Sequence, residues 1–101
     1  MSDIFAIVIE PSSELQREQV QAAIKSNAEN WWHGMADLWF VKGKDAVAWR
    51  DLLAPMFPNV NGKVFVFRVG TQGTGISWAY RATFSDSATE WVKNNLNHKA
   101  N

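Results

Sequence analysis

Apolar residues follow two different rhythms along this chain. Residues 4–10, IFAIVIE, form an almost unbroken apolar run with β-branched side chains, closed by Pro11; that composition predicts a strand. Residues 12–27, SSELQREQVQAAIKSN, place Leu15, Val20, Ala23 and Ile24 on one helical stripe, with Glu14, Arg17, Glu18 and Lys25 on the wet side. Ser13 and Gln16 have the spacing of a capping box. The next stretch, NWWHGMADLWFV (30–41), is too aromatic and β-rich for a good helix, and Gly34 interrupts it. It predicts a hairpin: a strand over 30–33, a turn at Gly34–Met35, and a second strand over 36–41. After KGKD, Asp45 can cap a helix in which Trp49, Leu52, Leu53 and Met56 follow i, i+3, i+4, i+7 spacing. Pro55 and Pro58 weaken its end. KVFVFRV (63–69) predicts a fourth strand, GTQGTG (70–75) a mobile loop, and ISWAYRATF (76–84) either a short strand or an irregular arm. SDSATEWVKNNL (85–96) predicts a closing helix with Ser87 and Glu90 as its capping box and Ala88, Trp91 and Val92 on one face. The tail NHKAN is expected to fray.

This order, β-α-β-β-α-β plus a helix, predicts an α+β fold: a ferredoxin-like βαββαβ antiparallel sheet with an additional C-terminal helix. It makes one domain of residues 1–101, in which 70–97 form a loop or arm plus the helix packing on it. The strands 4–9 and 64–69 do not alternate; they are apolar on both faces. A sheet with one wet face alternates. The face away from the two helices therefore needs cover, from the C-terminal helix or from a second copy, because a bare patch of several hundred Å² is rare on a monomer.

Composition adds limits. With 101 residues the chain is one domain, and 47% hydrophobic residues suffice for a core. It has no cysteine, which excludes disulfides and thiolate metal sites. The apolar run after Met1 is short and has an acid in front, unlike a signal peptide or membrane span, so a cytoplasmic protein with no membrane partner is expected. Net charge is +0 but uneven: residues 1–41 carry six acids and two bases, residues 42–81 six bases and two acids. That asymmetry marks a basic patch for an anionic partner or averages out on folding.

Three stretches, AIVIEPSSE, AIKSNAENWWHGMADLWFV and SWAYRATFSDSATEWVKNNL, resemble the small bacterial proteins labelled SinR-like. That family is in turn distantly similar to the small ferredoxin-like CRISPR adaptation nuclease subunit and to VapD-type toxins. The resemblance implies the same fold, a homodimer, and association with nucleic acid or a protein partner. In the nuclease relatives an aspartate closing the first strand helps hold a divalent metal. Here Glu10 stands at that place, followed by Pro11, so catalysis does not transfer.

The candidate chemistry is sparse. Glu10 and Asp37, with Glu14 a weaker third, are the metal-binding carboxylates for Mg²⁺ if the nuclease alternative holds; otherwise they are salt-bridged and no cofactor is expected. His33 lacks the HxxxH or HExxH spacing of a zinc site, and His98 lies in the tail, so His33 reads as a hairpin packing residue. GTQGTG lacks the order of a P-loop or dinucleotide loop. The serines at helix starts are explained by capping. No catalytic residue is assigned. The binding surface expected is aromatic: Trp31, Trp32, His33, Trp78, Tyr80 and Arg81. Trp31 and Trp32 point to opposite faces of a strand, and the Trp78–Tyr80–Arg81 set either stacks on single-stranded nucleic acid or clamps the arm to its own sheet. The expected function is a small, non-catalytic, homodimeric interaction module; the alternative is a metal-dependent nuclease or nucleic-acid binder.

Overall fold

Residues 3–58, 62–71 and 85–95 are described by a computed structural model. The elements follow the order β1 (Asp3–Glu10), α1 (Glu14–Asn27), β2 (Asn30–Met35), β3 (Leu38–Lys42), α2 (Ala46–Leu53), β4 (Lys63–Thr71) and α3 (Asp86–Asn95), with one 3₁₀ turn (Ala54–Met56) continuing α2. Among these residues four strands form one sheet in the order β2-β3-β1-β4 with every neighbour antiparallel. That is the ferredoxin-like arrangement: the β2–β3 hairpin sits beside β1, and β4 returns to the other side of it.

Odd-numbered residues of β1 face one layer and even-numbered ones the other, as the pleat requires. Phe5, Ile7 and Ile9 join Trp39 and Val41 of β3, Val20 and Ile24 of α1, and Trp49 and Leu53 of α2 in the main core. Ile4 on the opposite face packs with Trp32 and Val92, against Phe40, Val69, Ala88 and Trp91. Helices α1 and α2 thus cover the odd-numbered face of β1, and α3 covers the Ile4 end of the other, where Val8 stays exposed.

Several local expectations change. The hairpin turns at Ala36–Asp37, not at Gly34–Met35, and Gly34 lies inside β2. A Cβ on Gly34 would fall 2.6 Å from Cη2 and 2.7 Å from Cε2 of Trp32, so this glycine makes room for an indole instead of bending the chain. In α1, Ser13 caps as expected, its Oγ accepting from Gln16 N at 3.1 Å. The reciprocal half is displaced by one residue: Ser12 N donates to Gln16 Oε1 at 2.7 Å, and Gln16 Nε2 donates to Met56 O at 2.7 Å. Gln16 is buried and Leu15, placed on the apolar stripe by spacing, is exposed. In α3 the cap is Ser85, whose Oγ accepts from Ala88 N at 3.2 Å, and Ser87 falls in the first turn. Asp45 caps α2 as its position implies, accepting from Ala48 N at 2.8 Å.

Candidate functional site

The two adjacent tryptophans of β2 part company. Trp32 goes under α3, buried, stacked on Phe40 at 4.9 Å, with Nε1 donating to Ala88 O at 3.0 Å. Trp31 goes to the α1 side, partly exposed, tilted against Trp39 at 5.5 Å with Lys25 Nζ 5.3 Å from its ring. His33 lies flat on Trp39, with ring centroids 3.7 Å apart and 8° between planes, and Nε2 is 2.9 Å from Ala36 O. It covers a core indole and ties down the hairpin turn. Trp31, Trp32 and His33 do share a groove of about 260 Å³, completed by Ser85, Ser87, Ala88 and Trp91 of the α3 end. Trp91 is anchored there by Asn30, whose Oδ1 accepts its indole N–H. Trp78, Tyr80 and Arg81, along with the rest of the GTQGTG loop beyond Thr71, the ISWAYRATF segment and His98, lie outside the described residues.

The candidate carboxylates are each engaged by a cation. Glu10 accepts from Lys63 Nζ at 2.9 Å. Asp37 takes Arg17 through both oxygens, Nε to Oδ1 at 2.9 Å and Nη2 to Oδ2 at 3.2 Å, and Arg17 also bonds Glu14. The hydrogen bond to Asp37 raises the Arg17 pKa above its ordinary value, against the lowering effect of desolvation. Among the described residues no three His, Asp or Glu side chains gather as a metal site. A divalent ion would have to take Glu10 from Lys63, and Asp37 and Glu14 from the Arg17 they share.

The surface feature that spacing alone does not single out lies on the back of the sheet. α3 covers its Trp32–Ile4–Phe40 half. Beyond that helix, Val8 stays 41%, Met35 53%, Phe65 68% and Phe67 42% exposed. Their register places them side by side: Val8 is opposite both Leu38 and Phe65, Ala6 opposite Phe67, and Met35 opposite Leu38. Phe65 and Phe67 touch edge to face at 5.8 Å. A signal is present in the lack of alternation in 64–69, but it reports only that two faces are apolar, not which half stays open. With a Phe ring good for roughly 150–250 Å², the four side chains leave on the order of 350 Å² of contiguous apolar surface.

These features define an α+β domain with a half-covered sheet and no concentrated reactive cluster among its described residues. No helix among them is long and apolar enough to cross a membrane. No family model matches the chain, and no curated protein matches it.

Proposed function

We propose that this chain is a small, cytoplasmic, non-catalytic interaction module that works as a homodimer, joined on the β4 side of its sheet. The observation that carries the reading is the open apolar surface of Val8, Met35, Phe65 and Phe67. Apolar surface of that size favours burial at about 25 cal/mol per Å². Net charge of +0 leaves no overall repulsion between copies. The rim supports a like partner too: Glu10 and Lys63, both well exposed, place an anion and a cation side by side at one end of the patch. A self-complementary rim of this kind suits an isologous contact. The polar groups that would serve catalysis are engaged elsewhere: Glu10 and Asp37 in ion pairs, His33 on the hairpin, and Ser13 and Ser85 as caps. The resemblance to SinR-like proteins points the same way.

Sedimentation equilibrium tests this. The wild-type chain is expected to dimerise reversibly, and Phe65→Glu to shift it to monomer without unfolding it. A wild-type chain that stays monomeric up to about 1 mM, the weak end of specific association, would overturn the reading.

The groove around Trp31, Trp32, His33 and Trp91 favours a second reading, a single-stranded nucleic-acid binder. Lys25 and Lys42 stand near two of its rings, and base–indole stacking contributes roughly 1–3 kcal/mol per base. Binding of a labelled oligonucleotide that weakens with added salt and is lost in Trp31→Ala supports it; no binding at about 50 mM salt removes it.

A further inference from the structure

We infer that two copies stack sheet back on sheet back, about a two-fold axis that runs across the strands, and that α3 selects this axis. This rests on the homodimer reading and says how the two copies meet.

The open residues form a row. Met35 pairs with Leu38, Leu38 with Val8, and Val8 with Phe65, and directly paired residues point to the same face of a sheet. The row therefore crosses all four strands at one end of the sheet's back. α3 occupies the other end, over Ile4, Trp32 and Phe40. Phe67, paired with Ala6, lies one step from the row toward α3, and the Glu10–Lys63 ion pair lies one step away on the other side.

The thickness of α3 decides which symmetry is open. A helix is about 10–12 Å across, and stacked sheets lie about 10 Å apart. α3 thus fills the layer that a second sheet would need over its end. A two-fold axis along the strands would lay the covered end of one sheet on the covered end of the other, and each helix would collide with the opposing sheet. A two-fold axis across the strands lays open end on open end. It carries the two α3 helices to opposite sides of the dimer, where each abuts the strand ends of the partner in its own layer. Strand directions stay within about 30° of a common line, as in aligned sheet packing.

Area and charge both suit a second copy here. The open apolar surface is on the order of 350 Å². Protein interfaces are about 56–58% apolar, so a patch of this size with an ordinary polar rim corresponds to about 600 Å² per copy. The two together reach about 1,200 Å², the low end of specific interfaces. With the axis over the Val8 row, every residue of the row lies opposite its own copy, and Phe67 lies opposite the partner's Lys63. An ammonium over an aromatic face is attractive, and the two-fold axis makes that contact twice.

The chain has no cysteine, so each single-cysteine variant carries one thiol. A short bis-maleimide joins two thiols only where a position lies close to its own copy. An axis across the strands places a whole row there, so Met35→Cys, Val8→Cys and Phe65→Cys should each give a covalent dimer. Phe67→Cys lies about 7 Å from the axis, hence about 14 Å along the strand from its copy, and should cross-link roughly tenfold more slowly. Leu15→Cys, exposed on α1, is on the far side of the sheet and should not cross-link. Hydroxyl-radical labelling of the unsubstituted chain gives a second readout that no substitution disturbs. Met35 and Phe65 should lose most of their reactivity together as concentration rises through the dimer range, and Leu15 none. A dimer in which only one of the three row positions cross-links, or in which Met35 and Phe65 stay reactive, overturns the stacking and leaves the homodimer standing. A chain that stays monomeric up to about 1 mM overturns both.

Discussion

Gly34 and Trp32 are two residues apart on β2, and the indole of the second occupies the space where a side chain on the first would begin. Trp32 has little freedom to yield. It is buried, stacked on Phe40, and bonded through Nε1 to Ala88 O. Gly34→Ala is therefore expected to destabilise the domain by about 1–3 kcal/mol, the range for overpacking a filled site. Urea unfolding followed by far-UV circular dichroism measures it. If alanine is tolerated within about 0.5 kcal/mol, the span of an ordinary surface change, the ring is not fixed as described.

Trp32 also decides whether α3 stays on the sheet. Its ring fills the layer between Phe40 and the helix, and its N–H reaches the helix backbone. Trp32→Phe keeps an aromatic ring but loses that hydrogen bond and part of the contact, at a cost of about 1–3 kcal/mol. The effect should be local. Amides of 88–95 should exchange faster in the variant, whereas those of β1 and β3 change only with global stability. A uniform change across all elements would show that α3 and the main core unfold as one unit.

The chain's periodicity discloses the element order because the dominant signal, apolar spacing, is also the dominant energy. Strand β1 and helices α1 and α2 are legible for that reason, whereas the cover expected on the back of the sheet is found only over its Ile4–Trp32–Phe40 part. The errors have one kind of cause. Gly34 reads as a turn in the sequence because glycine usually marks one, and only the neighbouring indole in three dimensions shows that the residue is small for packing. Ser87 and Glu90 have capping-box spacing, yet the helix starts at Asp86 and it is Ser85 whose Oγ accepts from the amide of Ala88 in the first turn. Among the candidate site residues, the opposite orientations of Trp31 and Trp32 follow from the strand pleat. That Asp37 is taken by Arg17, twenty residues away, does not follow from spacing at all.

Leu15 and Gln16 exchange the roles their polarity suggests, and this gives a paired prediction. Leu15 is 64% exposed, and Gln16 bridges Ser12 N to Met56 O from a buried position. Gln16→Leu leaves that donor and that acceptor unpaired and should cost about 1–3 kcal/mol. Leu15→Gln should lie within about 0.5 kcal/mol of wild type. Thermal unfolding of the two variants together checks the claim. The reverse ranking would mean that α1 is rotated on the sheet.

His33 provides the last case. It lies on the face of Trp39, whose Nε1 is buried and has no hydrogen-bond partner. The imidazole shields that indole, and its Nε2 bonds the carbonyl of Ala36 across the turn. His33→Ala removes a stacked pair and a hydrogen bond, each contributing about 0.5–1.5 kcal/mol, and should lower stability by about 1–2 kcal/mol. His33→Phe keeps the stack and loses only the bond, so it should recover at least half of that loss. Exchange of the Trp39 indole proton separates packing from bonding. It should be slow in wild type and in His33→Phe, because a ring still covers the site, and fast in His33→Ala, because water then reaches an N–H with no competing partner. Equal exchange in all three proteins would show that other groups, not residue 33, exclude water from Trp39.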